Sequence, residues 1–201
     1  MKRSIVIGLI ALTLLIGCEQ KAPPALPATF TATDITGVPW GKDFALTDHS
    51  GHAHTLKDFR GKVVALFFGY THCPDVCPTT LSEFAMALKQ MGNEAQKVQV
   101  LFVTVDPERD TPELLAQYVP AFNPTFLGLY TDPKSLGKLA AEFKVVFQKN
   151  VGSDPKNYLI DHSAGTYVFD PQGRLRLLIP YGSKPTNIAA DLHMLLNESS
   201  K

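Results

Sequence analysis

Two cysteines, Cys73 and Cys77, stand in the run Tyr70-Thr71-His72-Cys73-Pro74-Asp75-Val76-Cys77-Pro78, where an apolar strand gives way to a helix. Four residues apart on a helical turn, their Cβ atoms would lie about 5–6 Å from each other, near enough to converge on one metal ion or, with slight adjustment, to close a disulfide. A helix N-terminus carries partial positive charge, which favours thiolate, so both sulfurs are expected to ionise readily. Pro74 and Pro78 stiffen the loop around them. A purely structural disulfide would close only a tiny loop and add little stability. The motif is therefore read as a metal site or a redox pair.

A metal held by two thiolates needs further ligands, and His162 in Asp161-His162-Ser163 is the one on offer. Two sulfurs and one imidazole make a soft, low-coordinate set that suits Cu(I), whereas Zn(II) would normally take a fourth ligand. A histidine beside a strand serves more often as a hydrogen-bonded structural residue, so the residues alone leave His162 open. His49, His52 and His54 fall around Gly51 in what reads as a solvated hairpin turn. His72, next to Cys73 in an extended segment, is expected to point away and is left out of the ligand set. Asp106, Glu108, Arg109 and Asp110 precede Thr111-Pro112 and read as a loop capping the following helix with its own carboxylates.

The elements that must position these residues follow from hydrophobic patterning. Phe44-Ala45-Leu46 and the segment near Thr55-Leu56 flank a turn and suggest a hairpin. Val63 to Tyr70 and Val98 to Val105 are almost uninterruptedly apolar, as expected of strands covered on both faces. Leu81, Phe84, Ala85 and Leu88 recur at helical spacing before Gly92, Thr111-Pro112 opens a helix to about Phe122, and Asp132-Pro133 opens a third. An irregular segment is expected before His162. Ala164 to Phe169 and Arg174 to Ile179 read as strands joined by the turn Asp170-Pro171-Gln172-Gly173, and a last helix covers Pro185 to Leu196. The order hairpin, β, α, β, α, α, β, β, α predicts an α/β fold, a mixed central sheet flanked by helices with an N-terminal hairpin. The cysteine motif lies at the carboxyl end of a central strand.

Of the 201 residues, not all are expected to fold. Lys2 and Arg3, the apolar run from Ser4 to Ile16, and Gly17-Cys18 resemble a bacterial lipoprotein signal. That resemblance implies a signal peptide over 1–17, an acylated Cys18, a Pro-rich tether over 18–36, and one domain over 37–201. Loss of Lys2 and Arg3 leaves 17 Lys and Arg against 19 Asp and Glu, a balance that argues against a nucleic-acid partner. Acyl chains would hold the domain at a membrane, exported and facing the periplasm or extracytoplasmic space. Thiols there must form a disulfide or be kept reduced for a purpose.

The stretch Tyr70 to Thr79, then Asp106-Pro107-Glu108-Arg109-Asp110-Thr111-Pro112, then His162-Ser163 with Tyr167 four residues beyond Ser163, resembles the Sco/SenC proteins from about Gly37 to Leu196. The resemblance implies a thioredoxin-like fold and one copper ion per domain, with Cys73, Cys77 and His162 as ligands. It also implies a role in assembling the binuclear copper centre of cytochrome c oxidase, with subunit II or another copper-receiving protein as partner. Family members are often tethered by a transmembrane helix, whereas this chain is expected to use acyl groups. The alternative is a thiol:disulfide reductase using Cys73 and Cys77 on a partner's cysteines. Peroxiredoxins resemble a pattern with Thr or Ser three residues before the reactive cysteine; here Tyr70 and Pro74 hold those places. Exchange with a partner predicts that the Cys73–Cys77 loop and the segment before His162 are both exposed at one edge.

Overall fold

Two neighbouring strands, β4 (Val63–Gly69) and β5 (Val98–Thr104), form the spine of the structure, a computed structural model that describes residues 29–151 and 157–198. They run parallel, in register from Val63 opposite Val98 to Gly69 opposite Thr104, and every residue in both is buried. Burial of alternate residues on both sides explains why their sequences do not alternate. With β1 (Thr33–Asp34), β2 (Ala45–Asp48), β3 (Ala53–Thr55), β6 (Leu127–Tyr130), β9 (Thr166–Phe169) and β10 (Leu175–Ile179) they make one sheet, ordered β1-β10-β9-β4-β5-β6-β2-β3. The β4–β5 and β5–β6 pairings are parallel and the rest antiparallel.

Helices return the chain between these strands: α1 (Val76–Met91) after β4, α2 (Pro112–Tyr118) after β5, α3 (Pro133–Phe143) after β6, and α4 (Pro185–Glu198) at the end, packed beside α1. Their starts carry the chemistry that the sequence predicts. Thr111 accepts a hydrogen bond from the Leu114 N–H, Asp132 accepts from Lys134 and Ser135, and a proline follows each cap. The fold is thioredoxin-like, a mixed sheet flanked by helices, as the resemblance implies.

Four features depart from expectation. Helix α2 stops at Tyr118 instead of near Phe122, because Val119 precedes Pro120 and a proline cannot continue the ladder. Strand β6 is short and holds Gly128, whose added Cβ would come within 3.1 Å of both Leu115 Cβ and Val119 Cγ2, so close packing of α2 hides the strand signal. The segment before His162 is regular: β7 (Phe147–Val151) pairs with β8 (Tyr158–His162) as a separate two-stranded sheet. Its Gln148, Lys149 and Asn150 are exposed, so it carries little apolar pattern.

Finally, folding begins before residue 37. Thr31 donates its N–H and hydroxyl, and Ala32 its N–H, to the buried carboxylate of Asp191 on α4, at 2.8, 2.8 and 2.9 Å. Strand β1 then pairs with β10. The leader, Cys18 and the proline-rich stretch lie outside the described residues. Among the described residues no helix is long and apolar enough to cross a membrane.

Candidate metal centre

Cys77 sits in the first turn of α1 and is fully buried. It can approach the end of β4 because residue 69 lacks a side chain: a Cβ on Gly69 would meet Cys77 Sγ at 2.7 Å, Phe102 Cε2 at 2.8 Å and Phe67 Cε1 at 2.9 Å. Cys73 precedes the helix, contrary to the expectation that both cysteines share a helical turn. Its N–H donates to the Tyr70 carbonyl across a tight turn at 3.3 Å, and its side chain is half-buried. His162 ends β8 with Nε2 3.3 Å from Cys77 Sγ. The two sulfurs and an imidazole nitrogen all lie within 4.8 Å of one another, and both cysteines are free thiols. This is the one group of three or more potential ligands among the described residues.

The imidazole is held on several sides. Its Nδ1 lies 3.0 Å from the Ser163 carbonyl, an acceptor only, so Nδ1 bears the proton and Nε2 keeps its lone pair for the sulfurs or an ion. Phe67 and Tyr70 contact the ring edge-on, with centroids 6.0 and 5.8 Å away. Burial lowers the His162 pKa below the ordinary histidine value, which keeps the ring neutral, the form that ligates.

Burial acts in the opposite direction on Cys77, pushing its thiol far above the ordinary cysteine value. A hydrogen bond with the Tyr70 backbone opposes the shift, while neighbouring Cys73 and the charge of Asp110 add to it. The expected depression at a helix N-terminus is thus outweighed at Cys77 by desolvation. In the metal-free protein Cys77 is a thiol whose S–H is directed at Nε2 of His162.

The segment from Asp106 to Asp110 does something other than cap α2. The buried Asp110 carboxylate accepts from the Thr71 N–H at 3.0 Å, the Thr71 hydroxyl at 2.6 Å and the Thr104 hydroxyl at 2.6 Å, fixing the backbone two residues before Cys73. Asp106 accepts from the Tyr158 hydroxyl at 2.7 Å and from Arg109 Nε. Arg109 in turn donates to the Tyr158 carbonyl at 2.9 Å and lies 3.4 Å over the Tyr158 ring. Glu108 pairs with Lys149 on β7 at 2.7 Å. One short loop therefore ties the cysteine turn to the hairpin that carries His162. Tyr70 adds a second tie, its hydroxyl accepting from the Ile160 N–H at 3.1 Å. Sequence reasoning missed Tyr70 and Tyr158 as supports; a signal was available in two tyrosines flanking two ligands.

The remaining histidines stay apart. Gly128 N–H donates to His49 Nδ1, His54 lies 2.8 Å from Asp48, and exposed His52 lies 3.7 Å from the same carboxylate. His72 lies 3.0 Å from the Thr71 hydroxyl and is not in the ligand group. Around the centre, Pro74, Asp75, Leu159 and Asp161 are exposed, and Cys73, Val76, Leu159 and His162 border an open groove of about 260 Å³. The expected exposure at one edge is present. Two sulfurs and one neutral nitrogen suit a soft monovalent ion in three-fold coordination.

Comparison with known proteins places this geometry in context. A family model described as SCO1/SenC matches residues 32–197. The mitochondrial SCO2 homologue of Bos taurus is 39% identical over 133 residues, 65% of this chain and 50% of that protein. The chain thus spans about half the length of such relatives. A SCO2-like protein of Rickettsia felis is 32% identical over 186 residues, covering 92% of this chain and 90% of the relative. The structure of Bradyrhizobium japonicum ScoI with copper bound is 42% identical, with a TM-score of 0.72 over 78% of this chain and 99% of that one.

Proposed function

We propose that this chain, which belongs to the SCO1/SenC family, carries one copper ion on Cys73, Cys77 and His162 and delivers it to the binuclear copper centre of cytochrome c oxidase. The observation that carries the reading is the convergence of two free thiols and one imidazole nitrogen within 4.8 Å at an open groove. Cu(I) reaches the centre from the groove, beside half-exposed Cys73. Cys77 gives up its thiol proton on binding, and His162 offers the Nε2 lone pair while Nδ1–H stays on the Ser163 carbonyl. Release runs in reverse, with a ligand of the acceptor replacing Cys73 first because it is the exposed sulfur. The acylated Cys18 of this reading keeps the carrier at an extracytoplasmic membrane face. The acceptor is subunit II of the oxidase or another copper-receiving protein.

Equilibrium dialysis of the reduced chain against Cu(I) tests the centre: one ion per chain is expected. His162→Ala should weaken retention by about 100-fold or more, since even outer partners of a metal ligand are worth 10–100-fold. The same variant should still form the Cys73–Cys77 disulfide. Two ions per chain after replacement of His49, His52 and His54 would contradict the assignment.

One observation favours a second reading, thiol:disulfide exchange: one cysteine is half-exposed and the other buried. Cys73 thiolate would attack a partner disulfide, and Cys77 would resolve the mixed disulfide. Two electrons then pass to the partner's thiols as Cys73–Cys77 oxidises. That chemistry has no use for His162, so the His162→Ala variant separates the two readings.

A further inference from the structure

The β2–β3 hairpin is not the solvated turn that its sequence suggests. Asp48, at the end of β2, is 5% exposed, and the His54 side chain across from it is 20% exposed. The His54 ring stacks on Phe59, centroids 5.4 Å apart and planes 28° apart, which fixes the imidazole with its Nε2 at 2.8 Å from Asp48 Oδ2. Hairpin register sets Leu46 opposite His54 and Thr47 opposite Ala53, and the Asp48 N–H donates to the His52 carbonyl at 2.8 Å. Asp48, His52 and His54 therefore share one face, with His52 opposite Asp48 and His54 diagonal to it. His52 Nδ1 lies 3.7 Å from Asp48 Oδ1.

One carboxylate oxygen is enough to hold the turn. Asp48 Oδ1 accepts from the Ser50 and His52 N–H groups at 2.8 and 3.0 Å, which leaves Oδ2 to the His54 ring. Nitrogen and oxygen donors about 2.0–2.1 Å from an ion stand about 2.8–3.0 Å apart at right angles, and about 3.3–3.4 Å apart in a tetrahedron. The Asp48–His54 spacing thus matches one edge of a tetragonal site, the geometry of Cu(II). An entering cation displaces the proton that this pair shares. His52, with 75% of its side chain exposed, has room to turn its ring inward as the third donor, and the three donors converge only when it does. His49 is committed elsewhere: its Nδ1 accepts the Gly128 N–H at 3.1 Å, so its proton sits on Nε2.

We propose that Asp48, His54 and His52 form a second metal site, which takes one divalent ion of the Cu(II) type at the edge of the sheet. Strands β5 and β6 separate it from the strand that leads to the cysteines, and the two sites share no ligand. A carboxylate and two imidazoles are harder donors than two thiolates and an imidazole. The two sites therefore sort copper by oxidation state, divalent at the hairpin and monovalent at the cysteines. The hairpin site stands on its own residues, whether or not the cysteine centre carries copper.

The test is titration of the full chain, kept in detergent, with Cu(II) as the sole metal and citrate as a nitrogen-free competitor. Cys73 and Cys77 are first oxidised to a disulfide, so that no thiolate binds or reduces the ion. Electron paramagnetic resonance should report one tetragonal Cu(II) coupled to two nitrogens, and His162→Ala should leave that signal unchanged. His54→Ala and Asp48→Asn should each weaken binding about 10-fold or more. Asparagine still offers an oxygen to the Ser50 and His52 N–H groups, so the turn survives that change. His52→Ala, at an exposed side chain, should remove one nitrogen coupling. His49→Asn, whose amide oxygen can replace Nδ1 on the Gly128 N–H, should change nothing. Full binding in the His52→Ala/His54→Ala double variant, or loss of the signal on His162→Ala or His49→Asn, overturns the site and leaves an adventitious ion only. A parent signal with fewer than two nitrogens overturns it as well.

Discussion

Cys77 keeps its proton despite lying in the first turn of a helix, because burial disfavours the thiolate more than the helix end favours it. The consequence is a pH signature for Cu(I) binding. The loaded site holds fewer protons than the free one, so apparent affinity must rise with pH for as long as the thiol remains protonated in the free state. An ordinary cysteine stops contributing near pH 8.5. Here the Cys77 contribution, about tenfold per pH unit, should continue beyond pH 9, whereas His162, already neutral, adds no slope at neutral pH. Chelator competition from pH 6 to 10 measures this, and a plateau near 8.5 would mean that Cys77 is not desolvated as described. Gly69 belongs to the same scale. Gly69→Ala would force a methyl into contacts of 2.7–2.9 Å with the sulfur and two phenylalanine rings, so a loss of about 1–3 kcal/mol by denaturant titration is expected, together with weaker copper retention. Residue chemistry singled out Cys73 and Cys77 but left His162 open, and only the resemblance to the Sco/SenC proteins implied it; the structure brings the three together. Residue chemistry also misjudged the thiol's ionisation, because desolvation is a property of packing that no local spacing reports.

Among the elements, the loop between β5 and α2 has the largest effect on the site for its length. It grips the cysteine turn through Asp110 and Thr71, and the β7–β8 hairpin through Arg109, Asp106 and Tyr158. Read in sequence, its carboxylates resemble helix caps, since Asp and Glu before a Thr-Pro start commonly play that part. Thr111 caps the helix, as the sequence predicts, and only the fold reveals that Asp110 instead faces Thr71 and Thr104. Asp110→Ala leaves one N–H and two hydroxyls without their acceptor in a buried region and should cost about 2–4 kcal/mol. Its specific mark is faster alkylation of Cys73 in the metal-free protein, because the turn before it loses its anchor. Alkylation rates equal to the parent's would confine Asp110 to a purely stabilising role. The strands β4 and β5 and the helices α1, α3 and α4 were legible because each buries a long apolar pattern. The β7–β8 hairpin was not: Gln148, Lys149 and Asn150 of β7 are exposed and polar, and β8 offers only Tyr158 and Ile160 to the core, too short a pattern to read as a strand.

At the scale of the whole molecule, the described fold is closed by a contact between its two ends. Asp191, 1% exposed on α4, takes three hydrogen bonds from Thr31 and Ala32, some 160 residues earlier in the chain. Composition alone suggests a tether continuing to residue 36, since 31–36 has no apolar run to bury; a distant carboxylate, not hydrophobicity, brings it into the fold. A chain beginning at residue 37 would retain Cys73, Cys77 and His162 but would also lose the β1 pairing and leave the Asp191 carboxylate buried without its donors. An uncompensated buried charge costs about 3 kcal/mol or more, which for a domain of this size lowers Tm by roughly 6–12 °C relative to a chain beginning at residue 29. Asp191→Asn in the longer chain should reproduce part of that loss, because one amide oxygen can still accept. Neither change touches a ligand, so one Cu(I) per reduced chain is expected in all three. Thermal melts with parallel copper titration measure both quantities. Equal melting temperatures for the two starting points would show that the end-to-end contact adds nothing, while loss of copper from the shorter chain would show that the site depends on closure of the whole sheet.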